Sequence, residues 1–261
     1  MTPALERGYA VVIPACNEAA TIADVAARAL GVAATVIVVD DGSSDRTHER
    51  VAGMPVTLLR NERNLGKGAS LWRGMQHALA LGAAGVVTLD GDGQHAPEDV
   101  PRLLNVARAH PDDLVVGARL VVGHGAPRAR RAANRIADFF IGWAAGQPLD
   151  DSQSGFRVYP ATLLRRLDVK YGPGRGFVFE SDALIAAART GVRVRSVAIA
   201  AVYPPNARPS HFRPVVDIAR ISRMILWQLV SRGLSPAGLY RSLRRPARES
   251  VAADEPVSPA S

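Results

Sequence analysis

Short and almost continuously apolar runs alternate with stretches rich in Ala and Leu over the first 120 residues, and this alternation restricts the possible fold most strongly. The apolar runs predict strands at Tyr9–Pro14, Thr35–Asp40, Val56–Arg60, Gly85–Asp90 and Asp113–Gly117. The stretches between them predict helices at Ala19–Leu30, Asp45–Val51, Lys67–Leu81 and Pro97–Ala109. Strands without polar alternation are typical of a parallel sheet with helices on both faces. The chain is therefore predicted to be an α/β protein.

The second half of the sequence is less regular. Helices are predicted at Arg128–Ala145, Phe177–Thr190 and Arg213–Leu229, with a strand at Val192–Val202. We expect one domain over 1–232, divided into a first half (8–127) and a second half (128–232). Residues 241–261 are polar and contain several prolines, so a disordered tail is expected there.

Polar residues follow three of the predicted strands. They are Asn17 and Glu18 after the first, Asp40 to Ser43 after the second, and Asp90 to Gln94 after the fourth. The carboxyl ends of parallel strands lie at one edge of a sheet, where α/β proteins bind ligands. We therefore expect a functional site at this edge.

The sharpest local feature is the sequence Asp90-Gly91-Asp92-Gly93-Gln94. Two carboxylates separated by a glycine can direct oxygens at one hard cation, and Mg²⁺ or Mn²⁺ bound to a diphosphate suits such a pair. The alternative is a solvated turn, because Asp and Gly are both common turn residues. Asp40 and Asp41 can accept from a base imide or a ribose hydroxyl, while Ser43 or Ser44 can cap the following helix; capping alone does not account for the second carboxylate.

Two nucleotide-binding patterns are excluded. The segment Asn64-Leu65-Gly66-Lys67-Gly68 lacks both the earlier glycine and the Ser or Thr of a P-loop. A glycine-flanked lysine at a helix start can still approach a phosphate. No GxGxxG follows the first strand, which argues against a nicotinamide-dependent dehydrogenase.

The charge is distributed unevenly. The net charge of +8 combines −3 over residues 1–127 with +11 over residues 128–261, and nearly all basic residues are Arg. The single cysteine, Cys16, excludes a disulfide scaffold and fits a reducing, cytosolic compartment. We find no leader sequence and no apolar run long enough to span a bilayer.

Five motifs occur in an order and at spacings that resemble family 2 glycosyltransferases, over about residues 8–230. They are Val12–Glu18, Val39–Ser43, Asn64–Gly68, Asp90–His95 and Asp151–Arg157. Within that family the sequence is most similar to the polyprenyl-phosphate branch, the dolichol-phosphate mannose and glucose synthases. The resemblance implies a GT-A fold with a mostly parallel central sheet. It also implies a metal-dependent, inverting hexosyltransferase that uses a UDP- or GDP-linked sugar.

The resemblance also implies roles for residues on the donor side. Pro14, Ala15, Asn17 and Glu18 would line the nucleotide, Asp41 and Asp40 would contact its base or ribose, and Lys67 would lie near it. Asp90 would contact the ribose, the diphosphate or the metal, and Asp92 and Gln94 resemble metal ligands. The family pattern here is Asp-Ala-Asp, from which Gly91 departs.

On the acceptor side, Arg119 matches an arginine that binds the acceptor phosphate, and a second is expected from Arg131 or Arg135. Ser154, Gly155, Phe156 and Arg157 resemble a loop that closes over donor and acceptor. Glu180 matches a further acidic position whose role is open. Each arginine also has the simpler interpretation of a solvated surface charge.

A polyprenyl acceptor would bring the enzyme to a membrane. The helix at 213–229 has apolar residues near one face with Arg220, Arg223 and Trp227 at the boundary, which fits an interfacial helix or an ordinary core-packing helix equally well. We expect a bacterial protein that lies peripherally on the cytoplasmic face of the inner membrane, with a membrane-embedded partner protein as an additional expectation.

Two other functions remain open. The same fold with a hydroxyl acceptor, on a lipid or polysaccharide, would need a base, for which Asp151 and Glu180 are candidates. A sequence pI near 10.5 also suggests a nucleic-acid-binding protein. No RNA-binding motif interrupts the five motifs above, however, and we expect no nucleic-acid partner.

Overall fold

The structure is a computed structural model that describes residues 8–121, 128–168, 176–200, 214–231, 233–244 and 247–249. Its strands are β1 (Tyr9–Ala15), β2 (Thr35–Asp40), β3 (Thr57–Arg60), β4 (Gly85–Thr88), β5 (Leu114–Val121), β6 (Arg157–Pro160), β7 (Val194–Ala200) and β8 (Ala247–Glu249). Its helices are α1 (Ile22–Val32), α2 (Thr47–Val51), α3 (Lys67–Ala80), α4 (Val100–Ala109), α5 (Arg128–Ala145), α6 (Ala161–Leu164), α7 (Gly176–Arg189), α8 (Pro214–Val230) and α9 (Pro236–Ser242). The predicted alternation of strands and helices is confirmed.

The described strands form one eight-stranded sheet in the order β3-β2-β1-β4-β6-β5-β7-β8. Most neighbours are parallel, but β6 runs antiparallel to both β4 and β5. Strand β6 is not predictable from local pattern, because a four-residue segment that begins with Arg157 and ends with Pro160 lacks a strand pattern. Since β6 lies between β4 and β5, it brings the segment before it between their two ends.

Helices cover both faces of the sheet and produce two apolar cores. Along β1, Ala10 and Val12 belong to one core, whereas Val11 and Ile13 belong to the other. The first core is completed by α3, α5, α7 and α8, and the second by α1 and α4. Burial on both faces explains why the strands read as continuous apolar runs.

The folded part of the chain continues beyond the expected boundary at 232. Helix α9 contacts α5, where the Trp143 indole nitrogen donates to the Ser235 carbonyl at 3.1 Å. Strand β8 pairs with β7, with Ala247 opposite Arg195, inside the segment expected to be disordered. Without β8, the backbone N–H and C=O groups on the outer edge of β7 would have no strand partner. The rest of that segment, and the segment 201–213, lie outside the described residues.

None of the described helices is both long enough and apolar enough to cross a bilayer.

Gly74 shows how closely α3 packs on the sheet. A Cβ at this position would overlap Val12 Cγ1 and lie 3.0 Å from Val39 Cγ2. We expect Gly74→Ala to lower the free energy of unfolding by about 1–3 kcal/mol, because the helix must move away from the strands. Urea denaturation measures this change.

The matched control is Gly31→Ala in α1, where a Cβ meets no atom within 4 Å. We expect it to leave stability unchanged or raise it by up to about 1 kcal/mol. Equal losses in the two variants would contradict the close packing of α3.

Candidate active site

The carboxyl ends of β1 and β2 are tied together through Asn17. This residue adopts a left-handed conformation with φ of 57°, and its backbone N–H donates to Ser43 Oγ at 2.9 Å. The Ser44 N–H in turn donates to Asn17 Oδ1 at 2.8 Å. Pro14 and Ala15 end β1 directly before this junction. The predicted convergence of polar residues at one edge of the sheet is confirmed.

Asp40 and Asp41 are both buried and have different partners. Asp41 accepts hydrogen bonds from Asn61 Nδ2, Leu65 N and Gly66 N, each at 2.8 Å, so it holds the loop before α3. Asp40 Oδ1 accepts from Ser43 N at 3.0 Å, and its Oδ2 lies 3.2 Å from Arg60 Nε. Both carboxylates therefore hold loop backbone, and neither caps a helix, because no side chain hydrogen-bonds at the N-cap of α2 or α3.

Lys67 lies between two carboxylates at the start of α3. Its Nζ is 2.7 Å from Asp90 Oδ1 and 2.8 Å from Glu180 Oε1. Burial would lower the pKa of Lys67, but the charges of Asp90 and Glu180 outweigh it and raise this pKa above its ordinary value. The ion pairs bring together α3, the end of β4 and α7.

The two carboxylates after β4 have pKa values that move in opposite directions. Burial acts to raise the pKa of Asp90, but Lys67 outweighs it and holds this pKa below its usual range. Burial, and then the charge of Asp90, raise the pKa of Asp92, which accepts a hydrogen bond from Gln94 N at 2.9 Å. The protein itself thus stabilises the ionised form of Asp92 less than that of Asp90.

This donor set fits a divalent cation. Asp90, Asp92 and Gln94 offer only oxygen ligands from side chains, as Mg²⁺ and Mn²⁺ prefer. Among the described residues, no three His, Cys, Asp or Glu side chains are grouped as a metal site. A metal at Asp90 and Asp92 would therefore need ligands from a bound diphosphate or water in addition. Gly91 leaves little room beside it, since a Cβ there would lie 3.2 Å from the Pro14 carbonyl.

Arg119 and Asp151 form a two-pronged ion pair beside these carboxylates. Arg119 Nε and Nη2 each donate to an oxygen of Asp151 at 2.7 Å, and the Arg119 backbone N–H donates at 2.9 Å. Burial acts to raise the pKa of Asp151, but Arg119 outweighs it and lowers this pKa. The charge of Arg119 also acts on Asp90 and Asp92, so one site contains all four groups.

The segment before β6 passes between Asp90 and Glu180. A Cβ at Gly155 would lie 2.7 Å from Asp90 Oδ2 and 2.9 Å from Glu180 Oε1, so no side chain fits there. The Gly155 carbonyl accepts from Thr88 Oγ1 at 2.6 Å, and Ser154 Oγ donates to the Gly117 carbonyl at 2.6 Å. Ser154 and Phe156 are both fully buried.

Arg157 has a different position from the one expected of a substrate-binding arginine. It is fully buried, and its guanidinium donates to the carbonyls of Ser152, Ser154 and Glu180 and to the Tyr159 hydroxyl. These contacts fix the 152–155 segment against α7. The structure therefore gives Arg157 a bracing role in place of the expected contact with substrate.

The remaining predicted residues are placed as follows. Arg135 is exposed on α5, and the side chain of Arg131 lies outside the described residues. Glu180 and Asp151 were the candidate bases for a hydroxyl acceptor. Both are engaged in ion pairs, with Lys67 and Arg119 respectively, which disfavours proton abstraction by either.

Sequence reasoning gave no role to two residues that contribute to this site. Asp138 on α5 accepts from both N (2.8 Å) and Oγ (2.6 Å) of Ser152, and burial raises its pKa to about 6. His95 is buried against Phe156 at 5.6 Å between ring centroids, and burial lowers its pKa to about 4. A lone Asp inside a helix carries no sequence signal, whereas His95 directly follows the Asp90–Gln94 motif.

A model of the family described as "Glycosyl transferase family 2" matches residues 10–171, which is more than half of the chain and runs from the second residue of β1 past the end of β6. The chain belongs to glycosyl transferase family 2. All five motifs that carried the resemblance lie within the matched region.

Curated relatives narrow the similarity further. The chain is 34% identical over 172 residues to an undecaprenyl-phosphate mannosyltransferase of Micrococcus luteus, covering 63% of this chain and 70% of that protein. It is 30% identical over 200 residues to a polyprenol monophosphomannose synthase of Mycolicibacterium smegmatis, covering 72% and 75%. The resemblance to the polyprenyl-phosphate branch is confirmed.

Solved structures confirm the GT-A fold. A glucosyl-3-phosphoglycerate synthase from Mycobacterium tuberculosis, crystallised with Mn²⁺, UDP and glucosyl-3-phosphoglycerate, is similar with a TM-score of 0.59 and 25% identity. That similarity covers 87% of this chain and 80% of the neighbour. A crystal structure of the same synthase with Mg²⁺ and UDP has a TM-score of 0.60 and 27% identity, over 87% and 79%.

Asp138 gives a pH-dependent prediction. Its pKa of about 6 lies above the ordinary value of 3.8, so the folded protein binds a proton between about pH 4 and 6 that the unfolded chain releases. The contribution of this proton to stability is present at low pH and is lost as the pH rises through 6. Asn can accept the same hydrogen bonds without ionising. We expect Asp138→Asn to match the wild type at pH 4 and to exceed it by about 1–3 kcal/mol at pH 7.5.

Urea denaturation across this pH range tests the difference, with the exposed Asp112→Asn as the matched control. A stability difference that does not change with pH would show that Asp138 ionises freely in the folded protein.

Proposed function

We propose that this protein transfers a sugar from a nucleoside-diphosphate sugar to a polyprenyl phosphate, with inversion at the anomeric carbon. One observation carries the proposal: Lys67 and the Asp90–Asp92 pair share a site with the arginine of the Arg119–Asp151 ion pair. Because both reactants are anionic, cationic groups are needed beside the donor diphosphate and beside the acceptor phosphate. The names of the relatives, which include a polyprenyl phosphate or polyprenol, agree with this acceptor class.

The donor would lie at the ends of β1, β2 and β4. In the proposed arrangement Pro14, Ala15, Asn17, Glu18 and Gly91 surround the nucleotide, and Asp40 and Asp41 shape the pocket for its base or ribose. Asp90, Asp92 and Gln94 would hold Mg²⁺ or Mn²⁺, which neutralises the leaving diphosphate. Lys67 would contribute a cationic group in the same region, but its charge is already paired with Asp90 and Glu180, so the net positive charge there would have to come from the metal.

The acceptor phosphate would bind on the Arg119 side. Its oxygen is already anionic, so it attacks the anomeric carbon without a base, while the bond from that carbon to the diphosphate oxygen breaks. Attack from the face opposite the leaving group inverts the anomeric configuration. Arg119 positions the phosphate because Asp151 holds the guanidinium in one orientation. Arg135, Arg131 and the 154–156 segment are proposed to border this side.

The site of action would be a membrane surface, since a polyprenyl phosphate resides in a bilayer. We propose peripheral contact on the cytoplasmic face, where nucleotide sugars are available. The membrane-embedded partner protein expected from the sequence finds no support among these relatives.

The direct test combines purified protein with Mg²⁺ or Mn²⁺, a panel of UDP- and GDP-sugars and undecaprenyl phosphate. We expect lipid-dependent release of nucleoside diphosphate, lost on chelation of the metal. Asp92→Asn should lower the rate by at least about 100-fold, since it removes a metal ligand. The exposed Asp112→Asn should retain the wild-type rate. Release that survives both chelation and Asp92→Asn would contradict the metal site.

Arg119 tests the acceptor side. We expect Arg119→Lys to raise the KM for the lipid phosphate by about 10-fold or more, with little change in the KM for the donor. Lysine cannot keep the two-pronged contact with Asp151 that orients the side chain at position 119.

The matched control for this substitution is Arg195→Lys. Arg195 also pairs with an aspartate, Asp113 at 2.6 Å, but at the opposite end of β5 and β7. Steady-state kinetics separates the two constants. A rise in the donor KM alone would assign Arg119 to the donor.

A further inference from the structure

The large apolar side chains that are exposed in the described residues, apart from Leu81, lie on α5, α8 and α9 or directly beside α9, and α5 contacts both α8 and α9. We call this set the apolar patch: Ile136, Phe140, Leu226, Trp227, Val230, Leu234, Tyr240 and Leu243. Trp227 is 70% exposed. The other face of α8 packs into the core through Ile221, Met224, Ile225 and Leu229. Helix α8 therefore fits both interpretations that its sequence left open.

A groove of about 610 Å³ adjoins this patch between α7, α8 and the end of α6. Its charged lining consists of four arginines and two aspartates: Arg166, Arg189, Arg220, Arg223, Asp168 and Asp182. Leu167, Val178 and Met224 form its apolar part. Trp227 belongs both to the groove and to the apolar patch, so the two surfaces are continuous.

The groove is separate from the proposed active site. Glu180 on α7 points to Lys67, whereas Val178, Asp182, Ala186 and Arg189 line the groove from another face of the same helix. Asp182 is held by Gln228, whose Nε2 donates to Asp182 Oδ1 at 2.9 Å. Gln228 also accepts a hydrogen bond from Arg189, so one arginine and one aspartate of the groove are engaged within the protein. The four guanidinium groups still outnumber the two carboxylates.

We propose that this groove binds the phosphate headgroup of an anionic phospholipid while the apolar patch enters the bilayer interface. One guanidinium group can donate two parallel hydrogen bonds to the oxygens of a phosphate. Exposed Trp and Tyr with adjoining Leu and Ile are typical of segments that lie at the headgroup level. A soluble phosphate compound would use the arginines but leave the apolar patch in water. The proposal is independent of sugar transfer, because it concerns a second lipid-phosphate site.

Vesicle flotation tests the proposal with the full-length protein and no nucleotide sugar. We expect binding to phosphatidylcholine vesicles that contain phosphatidylglycerol and much weaker binding to phosphatidylcholine alone. Replacing two exposed groove arginines in Arg166→Gln/Arg223→Gln should weaken binding to the anionic vesicles by about 10-fold or more.

The matched control is Arg50→Gln/Arg108→Gln, which removes the same charge from exposed positions on α2 and α4. Helix α4 packs on the opposite face of the sheet from α7 and α8. We expect less than a threefold loss in this variant, and unchanged thermal unfolding in both. Equal losses in the two variants would overturn the groove in favour of general charge attraction.

Two further outcomes would also overturn the proposal. Equal binding to vesicles with and without phosphatidylglycerol would show that no anionic headgroup is recognised. Displacement from vesicles by millimolar glycerol 3-phosphate would make the groove a site for soluble phosphates. Weakened vesicle binding in Trp227→Ser, with the preference for phosphatidylglycerol retained, would support insertion of the apolar patch into the bilayer and recognition of the headgroup by the groove.

Discussion

The buried charge cluster around Lys67 organises the polar half of this protein. One ammonium group pairs with both Asp90 after β4 and Glu180 on α7, so three separate elements must meet at one point. Without a cation between them, two buried carboxylates would repel each other in a medium that screens charge poorly. Gly155 passes so close to both carboxylates that any side chain would collide with them. The antiparallel strand β6 that follows it is thereby placed between β4 and β5.

A second ion pair, between Arg119 and Asp151, performs the same task on the other side of this segment. Both pairs place a positive charge where an anionic reactant is proposed to bind. The uneven charge of the sequence is consistent with this arrangement. Carboxylates of the acidic first half lie at the proposed donor side, and arginines of the basic second half border the groove at α7 and α8.

Much of the fold could be predicted from local pattern, because strands buried on both faces leave continuous apolar runs. The clustering of Asn17, Asp40 and Asp90 at one edge also followed from sequence, since parallel strands end on the same side. Strand β6 could not be predicted, because its identity depends on neighbours distant in sequence. The same is true of Arg157 and Asp138. Whether such side chains face a ligand or brace a loop depends on tertiary contacts that no local spacing encodes.

The central claim is that the site joins two anions, a sugar diphosphate and a lipid phosphate, without a base. The most direct measurement compares initial rates of sugar transfer to undecaprenyl phosphate and to undecaprenol under one set of donor and metal conditions. We predict transfer to the phosphate with inversion of the anomeric carbon and no measurable transfer to the alcohol. Comparable transfer to undecaprenol would contradict this account, because it would require a base where Asp151 and Glu180 are held in ion pairs.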